Sequence, residues 1–174
     1  PLLRGRSTVD AQLAQATIAA RRVELSNSSD SLAVASVGSG SLAVQADRLV
    51  LGDGEKAIAG FASTSLAAVD SVRSEGTGRL QVAGGLTIST PRVLAAGGSN
   101  QTVSAADNTQ VDAPVYAGLS LTGSSASASP APSTASSEIE LGGRLTLEGQ
   151  RIDVATTVQA RSGQITLSAR GTDE

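Results

Sequence analysis

A ten-residue phrase occurs four times in this chain, and it restricts the possible folds more than any other feature. Residues 145–154 read Leu-Thr-Leu-Glu-Gly-Gln-Arg-Ile-Asp-Val, and residues 16–25 read Ala-Thr-Ile-Ala-Ala-Arg-Arg-Val-Glu-Leu. Residues 42–51 read Leu-Ala-Val-Gln-Ala-Asp-Arg-Leu-Val-Leu, and residues 86–95 read Leu-Thr-Ile-Ser-Thr-Pro-Arg-Val-Leu-Ala. Each copy opens on two apolar residues spaced by one. Arg22, Arg48, Arg92 or Arg151 follows six residues after the start, with an apolar residue directly behind it. Apolar residues at every second position are the signature of a half-buried strand. Each copy therefore reads as two short strands joined at a corner that carries an arginine. A chain that repeats one such phrase builds a stack.

The period of that stack follows from the last copy. Ile165-Thr166-Leu167 resumes the pattern 20 residues beyond Leu145-Thr146-Leu147. The copies begin at 16, 42, 86 and 145, which fits one, two and two-to-three turns of about that length once loops are allowed for. Short strands, glycine-rich corners and a period near 20 predict an all-β parallel β-helix, or solenoid, over residues 1–174. Coils would stack at about 4.8 Å, and about eight of them would make a rod on the order of 40 Å long. Leu42, Leu80, Leu86 and Leu145 are expected to point inward as aligned ladders. No coil would be stable alone, since only its neighbours cover its apolar face.

Composition agrees with a narrow interior. Phe61 and Tyr116 are the only aromatic residues, so the core must be filled by Leu, Ile, Val and Ala. Charged residues make up 17% of the chain, the net charge is −3, and both signs are scattered, so no basic footprint for nucleic acid is present. Cysteine and histidine are absent, which removes disulfides, thiolate metal sites, the commonest metal ligand and the commonest general base. No apolar run approaches the roughly 20 residues that a membrane-spanning helix needs. Pro1-Leu2-Leu3-Arg4-Gly5-Arg6 lacks the apolar core of a signal peptide. Both ends break off among patterned residues, as expected of a segment from a longer protein.

Along the chain, Val9 to Ile18 holds a weak helical spacing that gives way to alternation at Ala16. Turns are expected at Asn27–Asp30, Gly38–Gly40, Gly52–Glu55 and Gly97–Asn100. Between them lie short alternating runs, among them Leu32-Ala33-Val34, Leu80-Gln81-Val82 and Val115 to Leu121. Leu66, Val69 and Val72 are spaced by three, as on a helix. The β-branched valines and the nearby glycines favour strands with a corner instead. Residues 123–137, Gly-Ser-Ser-Ala-Ser-Ala-Ser-Pro-Ala-Pro-Ser-Thr-Ala-Ser-Ser, have no apolar period and read as one extruded or disordered loop.

Three stretches resemble a known family. They are Ala46 to Phe61 (Ala-Asp-Arg-Leu-Val-Leu-Gly-Asp-Gly-Glu-Lys-Ala-Ile-Ala-Gly-Phe), Gly78 to Ile88 (Gly-Arg-Leu-Gln-Val-Ala-Gly-Gly-Leu-Thr-Ile) and the closing Leu145–Ala169 region. These are similar to the large filamentous haemagglutinin-like exoproteins of Gram-negative bacteria, over most of the chain apart from the Ser/Ala/Pro insert. The resemblance implies a right-handed β-helical shaft, secreted across the outer membrane by a dedicated partner barrel and used in adhesion. It implies flanking coils of the same long exoprotein as neighbours, and a host glycan or protein as a possible ligand. The family's amino-terminal secretion domain is not recognisable, so the chain looks like an internal shaft segment.

The candidate contact residues are Arg22, Arg48, Arg92 and Arg151. Aligned on one face, they would form a stripe for sulfated glycans or another anionic surface. As corner residues, their stems would lie over apolar surface with their heads in water, and Glu24, Asp47 and Asp153 dilute the charge. The corner reading is preferred. Asp47, Asp53 and Glu55 around Gly52 and Gly54 are too loose for a calcium roll and read as a solvated turn. Asn27-Ser28-Ser29 and Asn100-Gln101-Thr102 match the glycosylation pattern but read as ordinary turns.

An enzyme is not expected. Glu138, Glu140, Glu148 and Asp153 are dispersed, sugar-stacking aromatics are nearly missing, and no histidine is available to activate a serine. No cofactor or metal is expected either. The leading expectation is a structural shaft of a secreted, cell-surface adhesin. A direct glycan- or protein-binding β-helix is the alternative, with a disordered linker or a carbohydrate-active enzyme behind it.

Overall fold

The computed structural model describes residues 2–4, 15–28, 36–107, 113–124 and 141–171. All regular structure in them is β, in the order β1 (Leu2–Arg4), β2 (Gln15–Leu25), β3 (Gly40–Leu51), β4 (Gly54–Ala59), β5 (Phe61–Ser74), β6 (Thr77–Val82), β7 (Gly85–Ser89) and β8 (Arg92–Ala95). There follow β9 (Asn100–Asp107), β10 (Val115–Tyr116), β11 (Leu119–Thr122), β12 (Arg144–Gly149), β13 (Ile152–Ala155), β14 (Thr157–Gln159) and β15 (Gln164–Ala169). One sheet runs β1-β4-β6-β9-β12-β15, and the other runs β13-β11-β7-β5-β3-β2, with β8 and β14 continuing its coils. Every pairing is parallel except β10, which folds back antiparallel onto β9. The chain passes from one sheet to the other and returns one strand further along, which makes a parallel β-helix of about five turns.

The period is 22 residues in the middle of the stack, where Leu42 pairs with Thr64 and Thr64 with Leu86. It is 20 at the last step, from Leu145 to Ile165. Five turns rather than about eight result because other coils are longer than the final one. Gln101, for example, pairs directly with Leu145. At about 4.8 Å per turn the described stack is on the order of 24 Å high. The Ser/Ala/Pro stretch lies outside the described residues from Ser125 onward. It enters the chain between β11 and β12, at a passage between the two sheets.

Inside, side chains from successive coils stand in columns. Val44, Leu66, Ile88 and Leu121 form one, and Leu80, Val103 and Leu147 form another. All seven are buried, as are Leu42, Leu86 and Leu145. A fully buried Leu or Ile contributes roughly 1.5–3 kcal/mol relative to an exposed one, so these columns dominate the cohesion between coils. The three-residue spacing of Leu66, Val69 and Val72 comes from a β-bulge in β5. The register with β3 slips between Ala46 and Arg48, so Asp47 faces the two residues Val69 and Asp70. Leu66 and Val72 stay inward, while Val69 is turned out to solvent.

Two expectations are altered. The fourth copy of the phrase is laid down half a coil out of phase with the others. Ala16, Leu42 and Leu86 all belong to the second sheet, but Leu145 lies in the first, stacked on Gln101. Residues 2–4, ambiguous in sequence, form β1 beside β4, with Leu2 against Ala57. They lie between the point where Asn27 N–H bonds Asp53 O and the point where Gly60 N–H bonds Ser36 O. Val9, Leu13 and the run Leu32-Ala33-Val34 lie outside the described residues.

Candidate functional site

The outward side of the second sheet carries a group of paired charges. The alternation that turns Val23, Leu49 and Val93 inward turns Arg22, Arg48 and Arg92 outward. Arg22 pairs directly with Arg48 in the ladder, and Arg48 pairs with Ser71. Arg92 stands one coil further on, beside Ser71, and the bulge in β5 places a carboxylate between Arg48 and Arg92. Its extra residue, Asp70, accepts from Arg48 Nε at 2.9 Å and from an Arg92 guanidinium nitrogen at 2.8 Å. Burial alone would push the Asp70 carboxyl up. The hydrogen bonds from Arg48 and Arg92, with their charges, outweigh that and hold it below the usual carboxylate range.

Around this bridge, Arg21, Arg22, Asp47, Arg48, Val50, Asp70, Arg73 and Glu75 line a groove of about 630 Å³. Arg22 pairs with Glu24 at 3.1 Å and Arg73 with Glu75 at 2.8 Å. Among the described residues Arg21 makes no ion pair, so it is the groove's one uncommitted cation. All of these arginine heads are substantially exposed, and exposed ion pairs hold their partners weakly, by about 0–1 kcal/mol. Such a groove is able to exchange an internal carboxylate for an external anion.

The four predicted arginines are thus brought together in part. Arg22, Arg48 and Arg92 form one stripe. Arg151 does not join it, because the out-of-phase fourth copy sets it at the passage from β12 to β13. There it pairs with Asp153 two residues on, at 3.1 Å, with 80% of its side chain exposed. Asp53 and Glu148 also have partners, in other coils. Asp53 Oδ1 accepts from the Thr77 backbone N–H at 2.7 Å, and Glu148 lies 3.9 Å from Arg79 and 4.0 Å from Arg170. No three His, Cys, Asp or Glu side chains stand together as a metal site among the described residues. Asn27 Nδ2 donates to Glu55 O at 2.6 Å, tying one coil to the next at a corner. Glu138 and Glu140 lie outside the described residues.

Two functional-looking residues are not evident from motifs. Asp70 sits at a bulge, which period-two counting does not register. Lys56 is the chain's only lysine and is 2% exposed. It occupies the inward column of Leu80, Val103 and Leu147. Its parity with Ile58 is the signal that marks it as inward. No family model matches this chain, and neither curated proteins nor solved structures yield a match.

Proposed function

We propose that this chain is a shaft segment of a secreted, cell-surface adhesin of the filamentous haemagglutinin type in a Gram-negative bacterium. In this reading it spaces or presents a binding region, in line with flanking coils of the same long exoprotein and after export through an outer-membrane partner barrel. One observation carries the reading: apolar columns run from coil to coil through the whole described stack. A rod whose every turn is clamped to the next resists bending, which is what a spacer requires. Adhesion and export rest on the sequence resemblance alone.

A second reading is favoured by the groove. Arg22, Arg48 and Arg92 on one face, with Arg21 uncommitted, fit an anionic glycan or an acidic protein surface. Glycan-array and cell-binding measurements on the purified chain separate the two. The shaft reading expects no retention above a scrambled-charge control. Retention that disappears in an Arg21→Gln/Arg48→Gln variant replaces it with the binding reading.

A further inference from the structure

Gln101 and Lys56 both donate to the Gly52 carbonyl inside the solenoid, and the Gln101 amide oxygen has no partner. Gln101 is fully buried, at 0% exposure. It stands in a column whose successive members are Gly54, Gly78, Gln101, Leu145 and Ile165. With no side chains on Gly54 and Gly78, its amide extends along the axis. Nε2 donates to Gly52 O at 2.9 Å and to Glu75 O at 2.8 Å. These two bonds fix the orientation of the amide, because exchanging its nitrogen and oxygen would set Oε1 against two carbonyl oxygens. Oε1 is buried and accepts no hydrogen bond. Lys56 Nζ donates to the same Gly52 O at 2.5 Å and to Gly54 O at 2.6 Å, which leaves its third N–H unused.

We propose that a single water molecule is bound between Gln101 Oε1 and Lys56 Nζ as a permanent part of the core. Chemistry selects the occupant. The group must donate to Oε1 and accept from an ammonium. A simple anion accepts without donating, and a metal cation is repelled by the ammonium beside it. Water does both, and buried waters typically serve otherwise unpaired polar groups of this kind. The node joins three successive levels of the stack, through Gly52–Lys56, Glu75 and Gln101.

A high-resolution crystal structure of the 174-residue chain tests this directly. A solvent peak within hydrogen-bonding distance of Gln101 Oε1 and Lys56 Nζ is expected. A dry Oε1, or one bonded directly to Nζ, overturns the proposal. In solution, magnetic relaxation dispersion counts long-lived internal waters. The Gln101→Leu variant, which takes the side chain that Leu145 already has in that column, is expected to hold one fewer. An equal count in the folded variant overturns the proposal, and if the variant fails to fold the wild-type crystal structure decides alone.

Discussion

Arg48 Nε donates to Asp70 Oδ2 at 2.9 Å across adjacent coils, and the bulge that displaces Asp70 from the regular ladder makes this pairing possible. The same carboxylate holds Arg92. One inserted residue thus joins Arg48 and Arg92, two coils apart, through a single carboxylate.

Asp70→Asn is expected to lower stability at neutral pH by about 1 kcal/mol or less, since both partners are exposed. The sign of the pH effect follows from the lowered carboxyl. The contribution is fully present above the unfolded-state value near pH 4 and is lost as pH falls through the lower folded-state value. Urea midpoints measured between pH 2 and 6 should therefore converge for wild type and variant at the acid end. A gap that stays constant over that range contradicts the assignment.

Lys56 is expected to make stability rise with pH as well, but in the alkaline range. Desolvation lowers its proton affinity, and the attraction of Glu55 and Asp53 offsets this only in part. The folded chain releases that proton at lower pH than the unfolded chain does. Stability therefore rises with pH between the two values. Against a Lys56→Met control, which removes the titration, wild type should gain in denaturant midpoint between pH 7 and 10. Parallel curves would show that Lys56 reaches solvent.

Leu145 is 1% exposed and covered on both sides by neighbouring coils. Leu145→Ala is expected to cost about 2–5 kcal/mol. Leu145→Asp, which places an unpaired charge in the column, should abolish the cooperative β transition seen by circular dichroism. An unchanged melting curve for the aspartate variant refutes the ladder.

Gly78 lies so close to its predecessor that a Cβ would collide with the Gly54 carbonyl oxygen. Gly78→Ala must push two coils apart, at a cost of about 1–3 kcal/mol. Gly118→Ala, whose Cβ meets nothing, is the matched control. Equal melting temperatures for the two variants would show that the coils are not packed this closely.

Much of the stack is legible without coordinates. Leu145-Thr146-Leu147 and Ile165-Thr166-Leu167 do pair residue for residue, as their spacing predicts. Alternation also identified the inward faces of Leu42, Leu80 and Leu86. The arginine stripe was only partly legible. Arg151 shares the local phrase of Arg22, Arg48 and Arg92, but the number of residues between copies decides which sheet a copy enters. Loops of variable length make that number uninformative.

The sequence by itself determined the all-β class, the strand period, the inward parity and the approximate length of a turn. These are local properties, since side chains alternate across a strand whatever it pairs with. Only the tertiary structure decided the phase of each copy, the bulge that delivers Asp70 to two arginines, and the convergence of Lys56 and Gln101 on the Gly52 carbonyl. Each of these depends on register between coils tens of residues apart. That register is set by the packing of whole columns, which no single stretch of the chain encodes.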